Sequence, residues 1–117
     1  MNNTEISHRI NILVEKLNNK LVDYYKTHFK ILEPKKILRE DGKKYSKLIE
    51  RSEAGAGTYS HSVYGFIDLN TGDILKAASW KAPAKGKRAS INDDDYGMMA
   101  CGPYGIHYIK GPNYSWD

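Results

Sequence analysis

The sequence predicts an α+β fold: a long N-terminal amphipathic helix packed on a small antiparallel sheet of two hairpins, followed by a Gly-rich C-terminal segment. Three observations carry that expectation. Apolar residues in the first third recur at steps of three and four, Pro34 ends the run, and beyond it the period drops to two between closely spaced turn residues. With 117 residues, 40% of them hydrophobic and 27% charged, the chain is sized for one domain over 1–117 and is apolar enough to close a core.

The helix is read over 1–33. Its stripe is Ile6, Ile10, Leu13, Leu17, Leu21 and Tyr24, widened by Val14, Tyr25 and Phe29. Asn2 is placed to cap it, with Glu5 three residues on, and Pro34 forces an end at or before Glu33. A stripe this long exceeds what a small sheet covers, which predicts a homo-oligomer formed through the helix.

Residues 34–80 are read as the two hairpins. In the first, 36–39 and 44–51 flank Asp41-Gly42, a pair suited to the positive φ angles of a type I′ turn. Residues 52–58, Ser-Glu-Ala-Gly-Ala-Gly-Thr, read as a flexible loop. In the second hairpin, 62–69 and 73–79 flank Asn70-Thr71-Gly72, with Gly72 supplying the left-handed residue. Residues 62–69 carry apolar groups on both faces, which predicts a central strand. Pro83 lacks an N–H and Gly86 loosens the chain, so the sheet is expected to stop after Trp80. Residues 81–117 then form a basic loop, an acidic turn and a Gly/Tyr-rich tail, in which Ile106–Lys110 is the one short strand expected.

The net charge of +4 matters less than its placement. Residues 1–33 hold five basic groups against four acidic ones, whereas 34–51 hold seven against three. Five more, Lys76, Lys81, Lys85, Lys87 and Arg88, follow with no acid among them, and Asp93, Asp94 and Asp95 come after. A cationic loop beside an indole suits phosphate: ammonium and guanidinium groups neutralise it, and the ring offers a stacking surface. The candidate ligand-binding residues are Lys76, Trp80, Lys81, Lys85, Lys87, Arg88, Tyr64 and Asn92. The bland account makes Trp80 a core residue and the lysines a solvated rim.

Other constellations are weaker. The three consecutive aspartates point in different directions on an extended chain and lack the D-x-D-x-D-G spacing of a calcium loop, so no metal or other cofactor is expected. Cys101 with His107 or His61 is the raw material of a thiol nucleophile, but a single cysteine is more often a small buried hydrophobe, and no enzyme is expected on this basis. No phosphate loop, nucleophile elbow or paired H-x-S/T motif occurs. Nine tyrosines, concentrated in the second half, suit half-wet interfaces or ordinary strands. No apolar run reaches the roughly 20 residues of a membrane span, the polar start carries no signal-peptide core, and the lone cysteine fits a reducing compartment. A cytoplasmic protein with no membrane partner is expected.

Phe66-Ile67-Asp68, Thr71-Gly72-Asp73-Ile74 and Lys76-Ala77-Ala78-Ser79-Trp80-Lys81-Ala82-Pro83-Ala84-Lys85 together resemble a pattern in small uncharacterised bacteriophage-encoded proteins, FID-x-x-TGD-I-x-K-x-A-S-W-K-x-P-A-K. The resemblance covers about 62–91. It implies a viral origin, hence an infected host cell, and a shared hairpin with a basic loop, and it names no reaction. The function expected is a phage-encoded binding protein for an anionic ligand, a nucleotide or a nucleic acid, which includes capture of a host signalling nucleotide in counter-defence. The alternatives are a small virion or assembly protein that meets genome or an acidic partner, and a small hydrolase using Cys101 or a histidine.

Overall fold

A computed structural model describes residues 3–29, 31–107 and 116. It holds one helix, α1 (Asn3–His28), and five strands in one sheet: β1 (Lys36–Asp41), β2 (Tyr45–Gly55), β3 (Thr58–Asp68), β4 (Asp73–Ala77) and β5 (Pro83–Ser90). The strands are antiparallel and ordered β1-β2-β3-β4-β5, as a meander. A 3₁₀ turn, Met98–Ala100, leads into a two-stranded ribbon of β6 (Cys101–Gly102) and β7 (Gly105–Ile106). The α+β architecture and the central position of β3 follow the sequence pattern. The predicted cap Asn2 and most of the predicted strand Ile106–Lys110 lie outside the described residues.

The helix stripe is spent within its own chain. Ile6, Ile10, Leu13, Leu17 and Leu21 are at most 1% exposed, and they pack with Ile37, Leu48, Ile67, Ile74 and Ile91 from the sheet side. A helix of 26 residues is about 39 Å long, and strands of 11 residues reach about 37 Å. The stripe is buried within one chain, so its length by itself does not call for a second subunit. Polar ties fix the docking. Asn18 Nδ2 donates to the Ile37 carbonyl at 3.1 Å and its Oδ1 accepts from the Ile37 N–H at 2.7 Å, so one side-chain amide serves both backbone groups of an edge-strand residue. Arg9 donates to the carbonyls of Ile91 and Asp93 while lying 4.0 Å from the Tyr96 ring.

Three expectations about the sheet are corrected. Residues 52–58 are the tip of a long β2–β3 hairpin, with positive φ at Ala56 (52°) and Gly57 (80°), so the two-residue primed turn falls here. Gly42, the expected site of such a turn, has no positive φ; its N–H donates to Tyr45 O at 2.8 Å and closes a wider connection. The largest correction concerns Lys81–Arg88, since Pro83–Ser90 is the fifth strand and pairs with β4 from Asp73↔Ser90 to Ala77↔Pro83. Proline and glycine are tolerated because β5 is an edge, Pro83 opens it, and the register shifts along the pair while Gly86 takes φ 101°. The turn at Gly72 is as expected: φ is 82°, its N–H reaches Asp68 O, and a Cβ there would come 2.6 Å from Ile91 Cγ2.

Candidate nucleic-acid interface

Residues directly opposed on paired strands share a face, so the register sorts the sheet into two sides. One row, Asp41–Ser46–Ile67–Ile74–Ala89, crosses all five strands on the side that α1 covers. The adjacent row, Glu40–Lys47–Phe66–Leu75–Lys87, crosses all five on the opposite side; alternation along β2 adds Arg51 and Glu53 to it, and their partners across the register, Lys36, His61 and Tyr59, follow, the bulge after Leu48 resetting the alternation of β3. Ile49 and Phe66 are buried there without belonging to the main core. No helix covers this second side among the described residues.

Its cations rest on rings. Lys47 Nζ lies 4.3 Å from the Trp80 ring centre, and the Arg51 guanidinium 4.8 Å from that of Tyr59; both rings are about half exposed. Lys47 and Arg51 are four positions apart on β2, hence about 13 Å along the strand. Where the turns before β2 and after β4 approach each other, a recess of about 300 Å³ opens, lined by Lys43, Lys44, Lys47, Lys81, Tyr45 and Phe66 together with Glu40 and Asp41. Both oxygens of Asp41 are held by Arg39, at 2.8 and 2.9 Å, and that hydrogen bonding keeps its carboxyl below the usual carboxylate range.

The residues predicted from sequence are divided by the structure. Trp80, Lys81 and Lys87 are exposed on or beside the open face, with Lys87 Nζ 3.7 Å from Asp73 Oδ1. Lys85 is an exposed residue of the edge strand. Arg88 is half-buried, and its Nε is buried with no hydrogen-bond partner among the described residues. Three candidates serve the fold. Tyr64 is 3% exposed and donates from its hydroxyl to Gly102 O at 2.7 Å, so it offers no platform to a ligand. Lys76 Nζ donates to Ile106 O at 2.9 Å, tying β4 to the small ribbon. Asn92 donates from Nδ2 to Thr71 O at 3.3 Å and steadies the β3–β4 turn.

Lys36, Lys43, Lys44, Lys47, Arg51, Tyr45 and Tyr59 were missed as site residues. The signal was present: Tyr45, Lys47, Ile49 and Arg51 alternate along one strand, which places them on one face. Two of the three aspartates serve the fold, and Asp94 is exposed. Asp93 Oδ2 accepts from Ser90 N–H, Asp95 accepts from the N–H groups of Gly97 and Met99, and no cluster of metal-ligating residues occurs among the described residues. Cys101 is 1% exposed, and burial pushes its thiol up to about 12, so at neutral pH it is a protonated core residue and a poor nucleophile.

These features define a class of protein: a helix-backed antiparallel meander with one bare, basic and aromatic face. The chain belongs to a family of unknown function, DUF7717, whose model matches residues 1–104 and so spans the helix and the whole five-stranded sheet. No curated protein and no solved structure matches the chain. No helix among the described residues is long and apolar enough to cross a membrane.

Proposed function

We propose that this protein binds single-stranded nucleic acid across the uncovered face of its sheet. The observation that carries the reading is the repeated pair on that face, a cation over an exposed ring at Lys47–Trp80 and again at Arg51–Tyr59. Each pair offers a strand what it needs, a charge for phosphate and a π surface for a base, and stacking of this kind is worth about 1 to 3 kcal/mol per base. Lys36, opposite Arg51, and Lys87, near Asp73, add to the cations around them. An open surface five strands wide suits an extended polymer better than capture of one small nucleotide, which calls for a concave, mostly enclosed pocket. A phage origin, with the infected cell as the setting, belongs to this reading through the resemblance in 62–91.

Fluorescence anisotropy with labelled single-stranded DNA and RNA, titrated over salt, tests it. The parent should bind with a strongly salt-dependent affinity. Lys47→Ala with Arg51→Ala should weaken binding at least ten-fold and flatten the salt slope by about 0.7 for each phosphate no longer neutralised. Absence of binding to either polymer, or a double variant equal to the parent, sinks the proposal and favours a virion or assembly role.

A further inference from the structure

We infer that the recess between the β1–β2 and β4–β5 turns holds a phosphate monoester, the terminal phosphate of a strand lying on the sheet face. The inference rests on the function proposed above and goes further, since it gives the face a polarity: one end of the track is built for a chain end. Charge density is the reason. Along the rest of the face no more than two strong cations stand side by side, Lys36 opposite Arg51, and Lys87 already meets Asp73 at 3.7 Å, which suits internal phosphodiesters carrying a single negative charge. In the recess, Lys43, Lys44, Lys47 and Lys81 surround one cavity. Of its two acids, Asp41 is engaged on both oxygens by Arg39, which leaves only Glu40 to oppose the four lysines of the lining.

None of those four lysines is ion-paired among the described residues; Lys47 rests on the Trp80 ring, and Lys44 lies 5.3 Å from that of Tyr45. A terminal phosphate carries about −1.5 to −2 at pH 7, with a second pKa of about 6, so it is the phosphate species best matched to so many cations. The cavity is about 300 Å³, the lower end of the range for small-molecule sites, which admits a phosphate with its sugar. The Tyr45 ring, 6.0 Å from buried Phe66, forms an apolar wall against which that sugar can rest.

The same short oligonucleotide, with and without a terminal phosphate at either end, is compared by competition anisotropy at pH 7.5 and at pH 5.5. The phosphorylated strand should bind about ten-fold tighter at the higher pH, and the advantage should shrink at the lower pH as the phosphate takes up a proton. Lys44→Ala with Lys81→Ala should erase the difference, whereas Lys36→Ala should weaken both strands alike and keep it. Circular dichroism and thermal melting establish that the variants are folded. A nucleoside monophosphate that binds alone as tightly as the phosphorylated strand keeps the monoester site and makes free nucleotide its source. Equal binding of phosphorylated and unphosphorylated strands overturns this inference while leaving the proposed function in place. If neither strands nor nucleotide bind, both fail.

Discussion

The two faces of the sheet are built from the same strands, residue by residue in alternation, yet they hold their charges differently. On the face under α1, charged groups are matched within the chain. Arg39 is held by Asp41, Ser7 and Asn11, and Lys35 meets Glu50 at 2.8 Å. Burial opposes the charge of Lys35, but the hydrogen bond and charge of Glu50 outweigh it and lift the ammonium above its ordinary pKa. On the bare face Lys87 meets Asp73 only at 3.7 Å, while Lys47 and Arg51 rest on aromatic rings, which stabilise a cation without neutralising it. A matched charge contributes to the fold, and a cation parked on a ring stays available to an anion.

This contrast can be broken most forcefully from the covered side. Leu17 is fully buried in the stripe, so Leu17→Ala should cost about 2 to 5 kcal/mol through reduced burial and a residual cavity. Urea or thermal unfolding measures it, with the Lys47→Ala/Arg51→Ala variant as the counterpart from the bare face, expected to lose no more than about 1 to 2 kcal/mol, the value of the two cation–π contacts it removes. Equal losses of stability in the two variants end the distinction between the faces.

A smaller effect belongs to the seam between helix and edge strand. Asn18→Ala leaves the Ile37 N–H and C=O without their side-chain partner, at a cost of about 1 to 3 kcal/mol, and bares part of an edge that another chain can pair with. Melting should fall and light scattering should show association that rises with concentration. An unchanged melting temperature means that water replaces Asn18 freely.

The smallest effect is acid sensitivity. The Asp41 carboxyl is depressed in the folded state, so its contribution is present above the ordinary carboxylate pKa and fades as pH drops through the folded value. With the side chain nearly half exposed, the contribution is no more than about 0.5 kcal/mol. Denaturant melts between pH 6 and pH 2.5 should show a loss that Arg39→Ala reduces; identical pH profiles for the two proteins rule the pair out as its cause.

Much of the fold was legible because it rests on local periodicity. The stripe from Ile6 to Tyr24, the stop before Pro34, the left-handed turn at Gly72 and the two-sided apolar pattern of the central strand each follow from the neighbours in sequence. The errors share one cause. Pro83 and Gly86 disfavour a strand in isolation, and Gly55-Ala56-Gly57 resembles slack chain, but an edge position tolerates the first pair and a hairpin of two eleven-residue strands uses the second stretch as its turn. Tyr64 and Lys76 have the residue types of a phosphate site and lie on the strands that precede the basic run, yet both are turned toward the β6–β7 ribbon.

By itself the sequence determined that this chain makes a helix, hairpins and an uneven charge, because helix periodicity, turn chemistry and charge placement are properties of short stretches. Which cations end up matched and which end up bare was decided only by the tertiary structure. Lys47 is 33 positions from Trp80, and Lys43 is 38 from Lys81. Strand register and the side on which α1 docks bring them together, and both depend on burying the helix stripe against residues far away in the chain.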